Sequence, residues 1–151
     1  MPFGSNVVII GYLVYNIFMI LSIQYAILKD IYCMAEGKGC MCEEKIRAVV
    51  TQFAKEAEKI YGTVLRAVIL YGSCARGDFA DDSDIDIMVL LDVAQDEIGI
   101  ARKKILDVSD QIDLKYDVVL APVIQSWRLY NQYMTVSCFY QNVQKEGIKF
   151  A

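Results

Sequence analysis

Asp84 and Asp86 are separated by one residue, Ile85. In an extended strand that spacing puts both carboxylates on one face. Like charges so close raise each other's affinity for protons unless a cation lies between them. Hard divalent ions such as Mg²⁺ take oxygen ligands, commonly one or two carboxylates completed by substrate phosphates. Ten residues upstream of this pair lies Gly72-Ser73. A glycine there lets backbone approach a ligand closely, amides at a helix start favour phosphate, and the Ser73 hydroxyl adds a donor. A phosphate cradle facing a carboxylate pair suits a nucleoside triphosphate bound with magnesium.

A third acid would help bind a second ion and activate an attacking hydroxyl. Asp113 and Asp117 fall in a stretch that reads as a strand, Ile112–Leu120, where period two gives them the same face. Asp117 is the stronger candidate, because it lies inside the apolar run YDVVL, where an unpaired charge is costly. Asp113 stands nearer the strand start and reads as a solvated turn residue. Arg76 either contacts phosphate or balances nearby acids. Asp78, Asp81 and Asp82 read as loop charges facing solvent, and Cys74 as a small residue at a tight turn. Trp127, Arg128, Tyr130, Tyr133 and Tyr140 fall at helical positions, where packing is the default role.

The elements that must position these residues follow from hydrophobic spacing. Ile46, Val49, Val50, Phe53, Ala57 and Ile60 mark a helix beginning near Glu43 and ending at Gly62. Strands are expected over Arg66–Tyr71, Asp84–Leu91 and Ile112–Leu120, the last closed by Pro122. The apolar continuation Ile87–Leu91 marks the second as a central strand. Helices are expected over Gln95–Asp110, Val123–Gln132 and Thr135–Gln144. The result is an α/β (α+β) layer with a small sheet.

Composition narrows the chemistry. The chain has 15 basic and 19 acidic residues, a formal charge of −4, and no basic stripe of the kind that tracks nucleic acid. It has no histidine, which removes histidine bases, Ser-His-Asp triads and most zinc sites. Five cysteines, an odd number at irregular spacing, read as reduced thiols of a cytoplasmic protein.

The apolar excess gathers in residues 1–40, which read as an extension preceding a domain over 41–151. Val7–Leu28 is uncharged and long enough to cross a membrane. Asn16, Ser22 and Gln24 weaken that reading, so membrane contact through residues 7–28 is not favoured. A dispensable arm or start-site artefact (Met34 and Met41 are alternative starts) and an apolar packing arm are the other readings.

The Gly-Ser, ten-residue, Asp-x-Asp arrangement resembles the DNA polymerase β-like nucleotidyltransferase superfamily, and within it the minimal nucleotidyltransferase antitoxins that accompany HEPN-type ribonucleases. Arg76-Gly77, Ser83 before Asp84, Asp117 in KYDVVLAPV and the closing FYQNVQKEGI extend the likeness over about Glu43 to Phe150. The resemblance implies a small mixed sheet flanked by helices and transfer of AMP from ATP to a tyrosine hydroxyl on a partner toxin. It implies Asp84, Asp86 and Asp117 as catalytic acids and Mg²⁺ ligands, with Gly72, Ser73, Arg76 and Ser83 binding the nucleotide. A stable complex with the HEPN toxin is the expected partnership. A small-molecule nucleotidyltransferase of the antibiotic-modifying kind and an antitoxin that acts by binding alone are the alternatives.

Overall fold

The computed structural model describes residues 40–151, together with Ile17, Met19, Ile20, Leu21 and Gln24. The chain divides into two compact units, Met1–Cys40 and Met41–Ala151. Most of Val7–Leu28, and Cys33, lie outside the described residues; among those described, no helix is long and apolar enough to cross a membrane. Cys42, Cys74 and Cys138 are free thiols, as expected, whereas Cys40 is disulfide-bonded, which corrects the expectation of reduced cysteines at that position.

Helix α1, Glu43–Tyr61, opens with Glu43 and Glu44 at the positive end of its dipole. It stops at Gly62, whose φ of 53° is easily adopted only without a β-carbon. Its buried stripe, including Ile46, Val49, Val50, Phe53 and Ala57, covers one face of a four-stranded sheet ordered β3-β2-β1-β4. Strand β1, Leu65–Leu70, runs antiparallel to β2, Ile85–Leu91, and β2 runs parallel to β3, Leu120–Ser126. A two-residue β4, Ile148–Lys149, closes the β1 side. The sheet is therefore mixed and flanked by helices, as expected.

Strand β2 is the spine. Ile85, Ile87, Val89 and Leu91 pack toward α1 and toward helix α3, Ile98–Tyr116. Met88 and Leu90 pack on the opposite face with Tyr130 and Val143, which belong to helices α4, Trp127–Tyr133, and α5, Cys138–Glu146. Apolar burial on both faces is what a central strand requires. Only its leading end is polar, and there the α4–α5 face receives Asp84 and Asp86.

The third strand is not where period two placed it. Ile112–Tyr116 continues α3, and β3 occupies Leu120–Ser126, taking in Val123–Ser126, where a helix was expected to begin. Ile105, Ser109 and Ile112 are buried at helical spacing, so the core selects period 3.6 over the alternation in IDLKYDVVL. Pro122 does not close the strand because β3 is a sheet edge, where a missing N–H costs little. The last two helices start later than expected, α4 at Trp127 and α5 at Cys138, the latter capped by the Ser137 hydroxyl, which accepts from the Tyr140 amide at 3.5 Å.

Candidate active site

Strand β1 delivers the chain to Tyr71, whose amide donates to the Asp86 carbonyl at 3.0 Å. Gly72 then turns with φ +73° into the short helix α2, Gly72–Arg76, which ends at Gly77. The first amides of a helix have no carbonyl of their own turn to bond. The turn is packed against the acids: a β-carbon on Gly72 would lie 2.3 Å from Asp86 Oδ2. Glycine is required at 72 on two counts, the positive φ and the space the Asp86 carboxylate fills.

Asp84 and Asp86 bracket the buried Ile85. Asp84 is exposed and Asp86 half-buried. Burial, and then the charge of Asp84, push the Asp86 carboxyl above the usual aspartate range, while Arg76 pulls it back. Burial and the Asp86 charge push the nearby Tyr71 hydroxyl up to about 12. Two carboxylates in mutual repulsion, one partly desolvated, form a site that a hard cation relieves. On the donor set the pair fits a divalent ion.

The third carboxylate is different. Asp117 does not lie within a buried strand; it is an exposed residue at the end of α3, in the left-handed region with φ 51°. The β3 position registered beside Asp86 is Ala121, and among the described residues no three acids, cysteines or histidines converge as a metal-binding group. Asp117 instead closes α3, which runs four residues past Ile112 before the chain turns toward β3. Asp113 is not a solvated turn residue either. It is half-buried, and its Oδ1 accepts from the Leu120 amide at 2.9 Å. Burial raises its carboxyl above the usual range, the Leu120 bond opposes this, and the charges of Asp110 and Asp84 add to it.

Arg76 lies close enough to influence Asp86 but is paired, through Nε with Asp78 at 3.2 Å and through a terminal nitrogen with Glu146 at 3.3 Å. Glu146, seventy positions away, left no local trace in the sequence. Ser83 is turned into its own loop, where its hydroxyl accepts from the Ala80 amide at 2.8 Å. Cys74 is buried and donates to the Asp84 carbonyl at 3.5 Å; burial pushes its thiol up, so it fills the turn rather than reacting. Tyr130 is buried in packing, as expected.

The family described as "Nucleotidyltransferase domain" matches residues 50–139. A relative from Methanocaldococcus jannaschii named "Putative protein adenylyltransferase MJ0604" is 35% identical over 107 residues, covering 71% of this chain and 96% of that protein. A second from the same organism, "Putative protein adenylyltransferase MJ0141", is 34% identical over 80 residues, covering 53% of this chain and 79% of the relative. A crystal structure of a toxin–antitoxin with AMP-PNP aligns with a TM-score of 0.46 at 24% identity, covering 67% of this chain and 72% of that one. The mixed sheet, the Gly72 turn packed on paired aspartates, and the match over residues 50–139 agree: this chain belongs to the nucleotidyltransferase domain family and is a nucleotidyltransferase.

Proposed function

We propose that this enzyme transfers AMP from ATP, bound with Mg²⁺, to a tyrosine hydroxyl of a partner HEPN-type ribonuclease toxin, and so acts as its antitoxin. The observation that carries the nucleotide chemistry is the contact between the Gly72 turn and Asp86, which leaves no room for a β-carbon. It fixes the phosphate-facing backbone against the carboxylate pair. Protein acceptance draws on the names of the two M. jannaschii relatives, and the HEPN partner on the motif resemblance. Val119 and Val123 share the sheet face of Asp84 and Asp86, by register, and remain 55% and 41% exposed. That apolar margin suits a protein surface as acceptor.

Asp84 and Asp86 would hold the metal, which when bound supplies positive charge against the triphosphate. The amides and hydroxyl at Gly72-Ser73 orient phosphate oxygens, and Arg76 exchanges a carboxylate partner for phosphate. The acceptor oxygen forms a bond to the α-phosphorus as the bond to the bridging oxygen breaks. Pyrophosphate departs with that electron pair, and the hydroxyl proton passes to the carboxylate pair. Positioning and electrostatics carry the rate; no covalent enzyme intermediate is needed.

The test is incubation with α-labelled ATP and magnesium, with and without the neighbouring gene's product. Label on a tyrosine of that product, lost on chelation of the metal and restored by magnesium, is the expected outcome. Label on a small acceptor alone, or tight complex formation without any label, overturns the reading in favour of an antibiotic-type enzyme or a binding antitoxin respectively.

A further inference from the structure

The reacting carboxylates lie at the leading end of β2, Asp84 just before the strand and Asp86 within it, where neighbouring segments hold the chain from both sides. From the β1 side Tyr71 N–H donates to the Asp86 carbonyl at 3.0 Å; from the β3 side Ile85 N–H donates to the Val119 carbonyl at 2.8 Å. Cys74 Sγ–H adds a weak bond to the Asp84 carbonyl. The β3-side bond depends on Val119, which precedes the strand proper and leaves α3 through the left-handed Asp117.

Asp113 holds that turn. Its carbonyl accepts from the amides of Asp117 and Val118, the latter at 3.3 Å, and its carboxylate accepts from the Leu120 amide. In a parallel ladder alternate residues turn their polar groups to the neighbour, so with Val119 bonded to β2 the Leu120 amide faces away from it. β3 is the edge of the sheet, so no further strand takes that amide among the described residues. The Asp113 carboxylate stands in for that strand, at the residue registered with Ile85 between the two acids.

We propose that Asp113 is a positioning residue for Asp84 and Asp86: its carboxylate fixes Leu120, hence Val119 and Ile85, and so sets where the metal-holding pair points. It works as a hydrogen-bond acceptor, not as a third metal ligand. The proposal rests on the functional reading above only in taking Asp84 and Asp86 as the reacting acids.

The experiment compares Asp113→Ala, Asp113→Asn and Asp113→Glu in the full chain, by amide hydrogen exchange at Ile85 and Leu120 and by steady-state transfer from Mg–ATP. Asp113→Ala is expected to lose protection at both amides and to lower kcat by about 10- to 100-fold, with the KM for ATP changed far less. Asp113→Asn keeps the acceptor without the charge and recovers most of both; Asp113→Glu keeps the charge, displaces the acceptor and recovers less. Should Asp113→Ala fail to fold, the order of Asn above Glu decides. An Asn variant as inactive as Asp84→Asn, a Glu variant more active than Asn, or an Ala variant with wild-type exchange overturns the proposal. If no variant, nor the wild type, labels any acceptor, the functional reading fails and the exchange measurements alone decide this one.

Discussion

A β-carbon on residue 72 meets the Asp86 side chain, with Oδ2 nearest at 2.3 Å, so the cheapest relief is for the carboxylate to swing away. Gly72→Ala should therefore cost stability modestly, about 1–2 kcal/mol for the positive φ, while reducing turnover by about 100-fold through a misdirected acid. Thermal melting beside label-transfer kinetics separates the two effects. Asp86 carries a pH signature of its own. Its folded carboxyl binds protons more tightly than the ordinary value of 3.8, so the stability associated with protonation is complete below that value and is lost as pH rises through the raised one. Asp86→Asn, which cannot ionise, should melt higher than the metal-free wild type at neutral pH, with the gap closing near pH 3.8. The same substitution, like Asp84→Asn, should lower kcat by about 100-fold or more. Equal melting points across that range would show that neither burial nor the Asp84 charge disfavours the Asp86 carboxylate.

At the scale of elements, the connection from α3 to β3 decides what stands beside the acids. Asp117 closes α3 in the left-handed region, which aspartate tolerates and β-branched residues do not. Asp117→Gly is expected to keep stability within about 1 kcal/mol and to retain most turnover, whereas Asp117→Val should lose about 1–2 kcal/mol. Denaturant unfolding and transfer kinetics check both. A Gly variant as inactive as Asp86→Asn would return Asp117 to the metal site. The same connection shows why the third strand was misplaced. Ile112, Leu114, Tyr116 and Val118 alternate with polar residues, yet Leu114 is 88% exposed and Ile112 is buried against the core with Ile105. Local alternation was genuine; the packing partner lay elsewhere in the chain.

At the scale of the whole molecule, Met41–Ala151 forms a compact unit whose core runs from Met41 and α1 through the sheet to α3. A chain beginning at Met41 is expected to melt in a single cooperative transition and to keep metal-dependent transfer, as circular dichroism and labelling would show. Loss of folding on removal of residues 1–40 would assign them a structural role.

What the sequence determined by itself was whatever depends on near neighbours. The Gly-Ser turn, the Asp-x-Asp pair and the apolar run behind it lie within Leu70–Asp92, where period two and the demands of phosphate and a hard cation can be read directly. The tertiary structure alone decided relations across the chain. Glu146 beside Arg76, Ala121 beside Asp86 and Asp113 beneath Leu120 follow from strand order, helix length and burial. Those are settled by which faces find a core, and no window of neighbouring residues holds that information.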